Sequence, residues 1–215
     1  MSHIKRQKVP KKWPIARKGS VYVVRPNNIE NGIPILIILR DMLKLAQNRR
    51  EAKKIIHSKQ ILVNGKIVKD EKDILLLFDI LNIAPLKKYY RLGLSETGQF
   101  CLNEIKESEA ETKVAKVINK KILKGKKTQL NLSDGKNFLS DLKCNINDSV
   151  VINLKKRKIE KNLPLKERAK VIIFSGKHIG KTGEILKLDL EKKIARIETN
   201  KEETNILIKQ LMVIE

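Results

Sequence analysis

The residues best spaced for chemistry lie in Asn48-Arg49-Arg50-Glu51-Ala52-Lys53-Lys54-Ile55-Ile56, and that chemistry is the binding of an anion. Asn48 reads as a helix N-cap, and Glu51 three residues on completes a capping-box pair, so a helix begins here. Arg49 and Arg50 then stand in its first turn, where the helix dipole already contributes about half a positive charge. Arg49 with Lys53 and Arg50 with Lys54 are like charges four apart, each pair costing roughly 0.2–0.5 kcal/mol. Such self-repulsion calls for an external anion, and RNA is the polyanion best suited to relieve it.

A second group is Gly176-Lys177-His178-Ile179-Gly180-Lys181-Thr182-Gly183. Gly180-Lys181-Thr182 matches the end of a Walker A motif, but that motif needs glycine where Ser175 stands and a helix after the Lys-Thr. Gly183 and a β run follow instead. The spacing therefore predicts a glycine-permitted turn that offers Lys177, His178 and Lys181 to backbone phosphates. Nothing else is spaced for catalysis. His3, His57 and His178 are scattered, and Asp70, Asp73 and Asp79 read as turn residues or internal counter-charges. Cys101 and Cys144 have no CxxC context, which argues against structural zinc and a disulfide framework and fits a reducing cytosol. The sequence thus predicts no enzyme, no cofactor, no metal and no small-molecule substrate.

Composition points the same way. Lys and Arg number 47 against 24 Asp and Glu, a formal charge of +23 over 215 residues. Charge of that size predicts an anionic partner, nucleic acid or membrane surface. The membrane reading is weak, because the longest apolar run, Ile33 to Leu39, contains Pro34 and is about a third of the roughly 20 residues a span needs. The basic N-terminus has no apolar segment behind it and does not read as a secretory signal. Aromatics are only 4%, which argues against successive base stacking and for gripping phosphates and reading shape.

The elements that must position these groups follow from punctuation and period. Residues 1–29 carry Lys5, Arg6, Lys8, Lys11, Lys12, Arg17, Lys18 and Arg25 with no acid and three prolines, and so read as a basic arm ordered by its partner. Trp13 either stacks on a base or staples the arm to the first domain; the residues leave both open. Asn31-Gly32-Ile33-Pro34 predicts a helix opening with Pro34 in its first turn and an apolar stripe of Leu36, Leu39, Leu43 and Ala46. The second helix runs from Arg49 to about Lys59, burying Ala52, Ile55 and Ile56. Asn64-Gly65 between Ile61–Val63 and Lys66–Val68 predicts a type I′ hairpin, and the apolar run Asp73–Ile83 predicts a buried strand. Past Ala84-Pro85, a hairpin over Tyr89–Leu102 and an acidic turn at Glu104–Glu111 precede short β runs at Val114–Ile118, Thr128–Leu132, Asn137–Ser140 and Ser149–Asn153. Turn signals at Gly125, Asp134-Gly135 and Asn147-Asp148 separate these runs. Pro164 marks a second boundary. Beyond it, runs at Ala169–Phe174, Glu184–Leu188, Ile194–Ile197 and Ile206–Ile208 form an all-β module.

The helix pair and Asn-Gly hairpin from Arg40-Asp41 through Ile74 resemble the S-four RNA-binding domain. That family's Ser-Arg at the second helix start is Asn48-Arg49 here, and its Arg-Glu-Ala continuation is Arg50-Glu51-Ala52. The glycine common at the end of that helix is Lys59 or Gln60 here. Gly176, Gly180 and Gly183 between apolar strands resemble a KOW module. A basic arm with Lys-Lys-Trp, an S-four domain, a β-rich middle carrying Gln129-Leu130-Asn131-Leu132-Ser133-Asp134-Gly135-Lys136-Asn137 and a final KOW module together resemble the archaeal small-subunit ribosomal protein S-four-e family over nearly the whole chain. The absence of the eukaryotic relatives' basic tail favours the archaeal type or a reduced version.

The resemblance implies an α+β multidomain chain: a basic N-terminal arm (1–32), a small α/β S-four-like RNA-binding domain (33–84), a β-rich central domain (85–164) and a C-terminal SH3-like KOW β-barrel (165–215). It implies a structural constituent of the small ribosomal subunit, located in the cytoplasm. The partners implied are ribosomal RNA of the small subunit and neighbouring small-subunit proteins, with no membrane and no homo-oligomer. The RNA-binding residues expected are Lys5, Arg6, Lys8, Lys11, Lys12, Trp13, Arg17, Lys18, Arg49, Arg50, Lys53, Lys54, Lys59, Lys66, Lys177, His178 and Lys181. Two rivals are an S-four domain guiding an RNA-modifying enzyme, for which no room is left, and a KOW-containing translation or transcription factor that binds transiently.

Overall fold

A computed structural model describes residues 3–26, 32–123, 127–140, 142–199 and 202–214; Asn31 and the expected turn at Gly125 lie outside these. The described residues are mostly β, with little helix. Two compact units form, residues 1–95 with 99–111 and residues 96–98 with 112–215.

In the first unit, β1 (His3–Lys5) and β2 (Tyr22–Val24) form an antiparallel ribbon, and β3 (Gly32–Pro34) leads into helix α1 (Ile35–Ile37). The helix widens into a π turn over Ile38–Met42, with the Leu43 N–H donating to Ile38 O at 2.9 Å. The expected stripe of Leu36, Leu39, Leu43 and Ala46 does meet the core, but Ile35, Ile37 and Ile38 are buried as well, because this segment runs through the core. Pro34 precedes the helix rather than standing in its first turn, and Gly32–Pro34 pairs with β6 (Ile74–Leu76). Helix α2 (Arg49–His57), β4 (Ile61–Val63) and β5 (Lys66–Ile67) come before β6 in the chain. The run Asp73–Ile83 is two strands, not one, since Phe78 takes a φ of 64° and breaks β6 from β7 (Ile80–Ile83).

Strands β8 (Lys88–Leu94) and β9 (Phe100–Ile105) extend the sheet to the order β5-β4-β7-β8-β9. The sheet therefore crosses residue 85. Ala84–Leu86 make one 3-10 turn and Lys87 a left-handed one, so Pro85 turns the chain into the next strand instead of leaving the sheet. The arm departs from its expected dependence on a partner: Trp13 and Val23 are buried in the core of this unit. The apolar surface that the arm lacks for a core of its own is supplied by Ile33, Leu36 and their neighbours.

The second unit has two five-stranded antiparallel sheets. The first is ordered β12-β11-β10-β13-β14 and is built from β10 (Thr112–Ile122), β11 (Thr128–Leu132), β12 (Asn137–Leu139), β13 (Ser149–Asn153) and β14 (Lys158–Leu163). A bulge between Val117 and Asn119 bends β10, so its first half pairs with β13 and its second with β11. The other sheet is ordered β18-β17-β16-β15-β19, from β15 (Lys170–Ile173), β16 (Thr182–Asp189), β17 (Ile194–Thr199), β18 (Glu202–Leu207) and β19 (Leu211–Val213).

Two of the described lysines are buried here. Lys113 Nζ donates to Asp134 Oδ2 at 2.7 Å, and both side chains are almost fully enclosed. Burial pushes the Asp134 carboxyl up, but Lys113 and then Lys136 outweigh it and hold it below the usual range. Lys116 Nζ donates to Ile208 O at 2.6 Å and Leu211 O at 2.8 Å, 5.8 Å over the Phe174 ring. Desolvation lowers its pKa to about 8. With the Val213 N–H donating to Ser149 Oγ at 3.0 Å, Lys116 ties the two sheets of this unit together.

Candidate nucleic-acid interface

Helix α2 starts as its capping residues dictate. Asn48 takes the extended conformation (φ −134°, ψ 170°) and accepts from the Glu51 N–H at 3.0 Å. The Glu51 carboxylate returns to the Asn48 side-chain amide and the Gln47 N–H, both at 2.7 Å. Ala52 and Ile56 face the core, which leaves Arg49, Arg50, Lys53 and Lys54 exposed on the far side.

The charge on this face is partly answered from within. The Glu71 side chain is 1% exposed and accepts from Arg49 Nε at 2.9 Å and from Arg49 Nη2, with Lys53 Nζ 3.9 Å away. Hydrogen bonding to Glu71 raises the Arg49 pKa. Arg49 therefore serves the fold as well as facing solvent, a role its spacing on the helix does not reveal. The only sequence signal for Glu71 is its place in the acidic turn Asp70-Glu71-Lys72-Asp73. Among the described residues, Arg50 and Lys54 have no acidic partner.

Lys59 leaves the helix with φ 58° and donates its N–H to Ile56 O at 3.0 Å. A lysine thus fills the left-handed position that glycine occupies more cheaply. Lys59→Gly is expected to raise stability by about 0.5–1 kcal/mol. The same change should flatten the salt dependence of RNA binding by about 0.9 in log–log slope. Denaturant titration and filter binding read the two effects, and an unchanged slope would remove Lys59 from the phosphate contacts.

The hairpin beside the helix has Asn64 at φ 49° and Gly65 at φ 75°, the two positive values a type I′ turn requires. Asn64 Nδ2 donates to Asp79 Oδ1 at 2.8 Å and its Oδ1 accepts from the Ile80 N–H at 3.0 Å. This fixes the turn against β7 and holds Lys66 out in solvent.

The arm residues divide. Lys5, Lys8, Lys11, Arg17 and Lys18 are exposed. Arg6 is taken up internally, donating from Nε to Ser20 O at 2.6 Å, from Nη1 to Ala16 O at 2.6 Å and from Nη2 to Ser20 Oγ at 2.9 Å. Lys12 is half-buried, and desolvation lowers its pKa. Trp13 is 2% exposed and donates from Nε1 to Gly32 O at 3.0 Å. Its face is covered, so the expectation that Trp13 contacts RNA is corrected to that of a staple.

In the second unit the glycine loop turns at Gly176 (φ 94°) and Gly180 (φ 88°), closed by Gly180 N–H to Ile173 O at 2.8 Å and Ile173 N–H to Lys181 O at 3.0 Å. Lys177 is exposed; His178 and Lys181 are half-buried. Strand β16 begins at Thr182, so no helix presents amides to a nucleotide. Gly183 answers to packing, since a Cβ there would lie 2.2 Å from Glu198 O.

A capped basic helix beside a locked Asn-Gly hairpin defines an S4-domain protein, and the description "S4 domain" matches residues 34–81. "RS4NT (NUC023) domain" matches residues 2–28 and "Ribosomal family S4e" residues 86–159. Small ribosomal subunit protein eS4 of Methanothermobacter thermautotrophicus is 36% identical over 220 residues, covering 99% of this chain and 91% of that one. The protein of the same name from Nanoarchaeum equitans is 37% identical over 196 residues, covering 87% and 84%. The crystal structure of the 30S ribosomal protein S4e from Thermoplasma acidophilum aligns with a TM-score of 0.74 at 26% identity, covering 86% of this chain and 95% of that one. The chain belongs to the ribosomal S4e (eS4) family. That family consists of ribosomal structural proteins, not enzymes.

Proposed function

We propose that this protein is a structural constituent of the small ribosomal subunit in the cytoplasm, where it binds ribosomal RNA and sits among neighbouring small-subunit proteins. The single observation that carries the reading is the exposed Arg50–Lys54 pair on α2, like charges one turn apart with no acidic partner among the described residues. An RNA phosphate relieves that repulsion.

Three basic surfaces make the contacts. On the arm they are Lys5, Lys8, Lys11, Arg17 and Lys18. On the S4 face they are Arg50, Lys53, Lys54, Lys59 and Lys66, with Arg49 shared between Glu71 and the RNA. In the glycine loop they are Lys177, His178 and Lys181. The modules are an arm (1–32), an S4-like domain (33–84), a central β domain (85–164) that lends its first hairpin to the S4 sheet, and a KOW SH3-like barrel (165–215). The protein acts as a single copy, and no described helix is long and apolar enough to cross a membrane.

Sedimentation through a high-salt sucrose gradient tests this. A constituent travels with the small subunit, whereas release into the light fractions at moderate salt would make it a transient factor.

A further inference from the structure

We propose that a cavity in the first unit receives one unpaired ribonucleotide, its base against Tyr22 and its phosphate on Arg40 and Arg49. The proposal rests on the RNA-binding reading above and names a subsite within it. The cavity is about 200 Å³ and is lined by His3, Tyr22, Val23, Val24, Leu36, Arg40 and Arg49. That is room for a single base-sized group, smaller than the roughly 300–1,000 Å³ of drug-sized pockets.

Register decides what the β1–β2 ribbon shows to it. Lys5 pairs with Tyr22 and His3 with Val24, so strand alternation puts His3, Lys5 and Tyr22 on one face. Ile4 and Val23 point the other way, and Val23 is buried in the core. Tyr22 is 55% exposed, in a chain with few aromatics. The His3 ring meets it edge to face at 4.5 Å and 65°. A neighbour in that position restricts the phenol ring before any ligand arrives, which lowers the ordering cost of stacking.

The two arginines are oriented in the same manner. Arg40 spends Nε and Nη2 on the Asp41 carboxylate, at 3.1 Å and 2.8 Å. Arg49 spends Nε and Nη2 on Glu71. Each guanidinium carries five N–H donors, so Nη1 of each retains hydrogens for a phosphate. An apolar wall of Val24 and Leu36, one held aromatic ring and two braced guanidinium groups suit a base together with its backbone phosphate. Lys5, beside Tyr22 on the ribbon, adds charge for the next phosphate along a strand, which favours an RNA chain over a free nucleotide.

The test uses the full-length protein and deproteinised small-subunit ribosomal RNA. Ultraviolet crosslinking, nuclease digestion and peptide mass spectrometry should find a nucleotide adduct on the peptide carrying Tyr22. Tyr22→Ala and Tyr22→Leu should each weaken binding about tenfold at every salt concentration without altering the salt slope, as loss of one stacked base does. Tyr22→Phe should retain most of the affinity, because the ring face is kept. Leucine preserves apolar packing, so a loss in both variants is not a folding defect; matched melting curves confirm this. Wild-type-like affinity in Tyr22→Ala, no adduct between residues 3 and 24, or full competition by free adenosine monophosphate would overturn the subsite while leaving general RNA binding intact. Failure of the wild-type protein to bind this RNA would overturn both readings together.

Discussion

Arg49→Ala is expected to lower the stability of the first unit by about 2 kcal/mol, a larger effect than any other single change on the basic face. Breaking a buried ion pair by removing one partner costs about 3–5 kcal/mol, because the remaining charge is stranded. Glu71 is that remaining charge, with a side chain 1% exposed. The value is discounted because the Arg49 side chain is 58% exposed and Lys53 lies near enough to take over part of the interaction. Arg50→Ala should be neutral or slightly stabilising, since it removes a repulsion and no contact. Urea titration of the RNA-free protein separates the two. Arg49→Ala/Glu71→Leu should recover most of the loss, because neither charge is then buried without a partner. Equal stabilities for Arg49→Ala and Arg50→Ala would remove Glu71 from its place as the internal anion of this helix.

The affinity of the whole protein for small-subunit ribosomal RNA should fall steeply with salt. With about eight phosphates neutralised across the three surfaces, the log–log slope is about −7, using the duplex coefficient of about 0.9 per phosphate. Between 50 and 200 mM salt that is a loss of roughly 10⁴ in binding constant. Arg50→Ala/Lys54→Ala should flatten the slope by about 1.8 while leaving the melting temperature unchanged or raised. Filter binding at several salt concentrations measures both. A wild-type slope shallower than about −2 would mean that phosphate contact is not what holds the complex together.

What could be read from the sequence follows the range of the interaction responsible. The cap at Asn48 and Glu51 and the turn at Asn64-Gly65 are set by residues within a few positions of each other, and both form as their spacing predicts. The capped basic face of helix α2 is therefore legible in the sequence. Its internal counter-charge is not, because Glu71 is 22 residues from Arg49. The docking of Trp13 on Gly32 spans 19 residues, and proline-broken, acid-free sequence gives no periodic sign of it. The full burial of the first helix leaves no period in the sequence, because a segment enclosed all round has no polar side to show one. Strands β14 and β19 leave no clear signal in the sequence, for different reasons. β14 is an edge strand, with lysine, glutamate and asparagine around Ile159 and Leu163. β19 is three residues long, and its partner β15 lies some forty positions earlier.

The enclosed amines of Lys113 and Lys116 bear on how an RNA contact map of this protein should be made. Acylating reagents that modify lysine side chains are the natural choice for a chain so rich in them. With Nζ sealed against Asp134 in one case and against two carbonyls in the other, these two amines are shielded by the fold itself. They provide a built-in reference. A lysine that becomes unreactive only when RNA is added reports a contact, whereas acylation at 113 or 116 reports that the second unit has come apart.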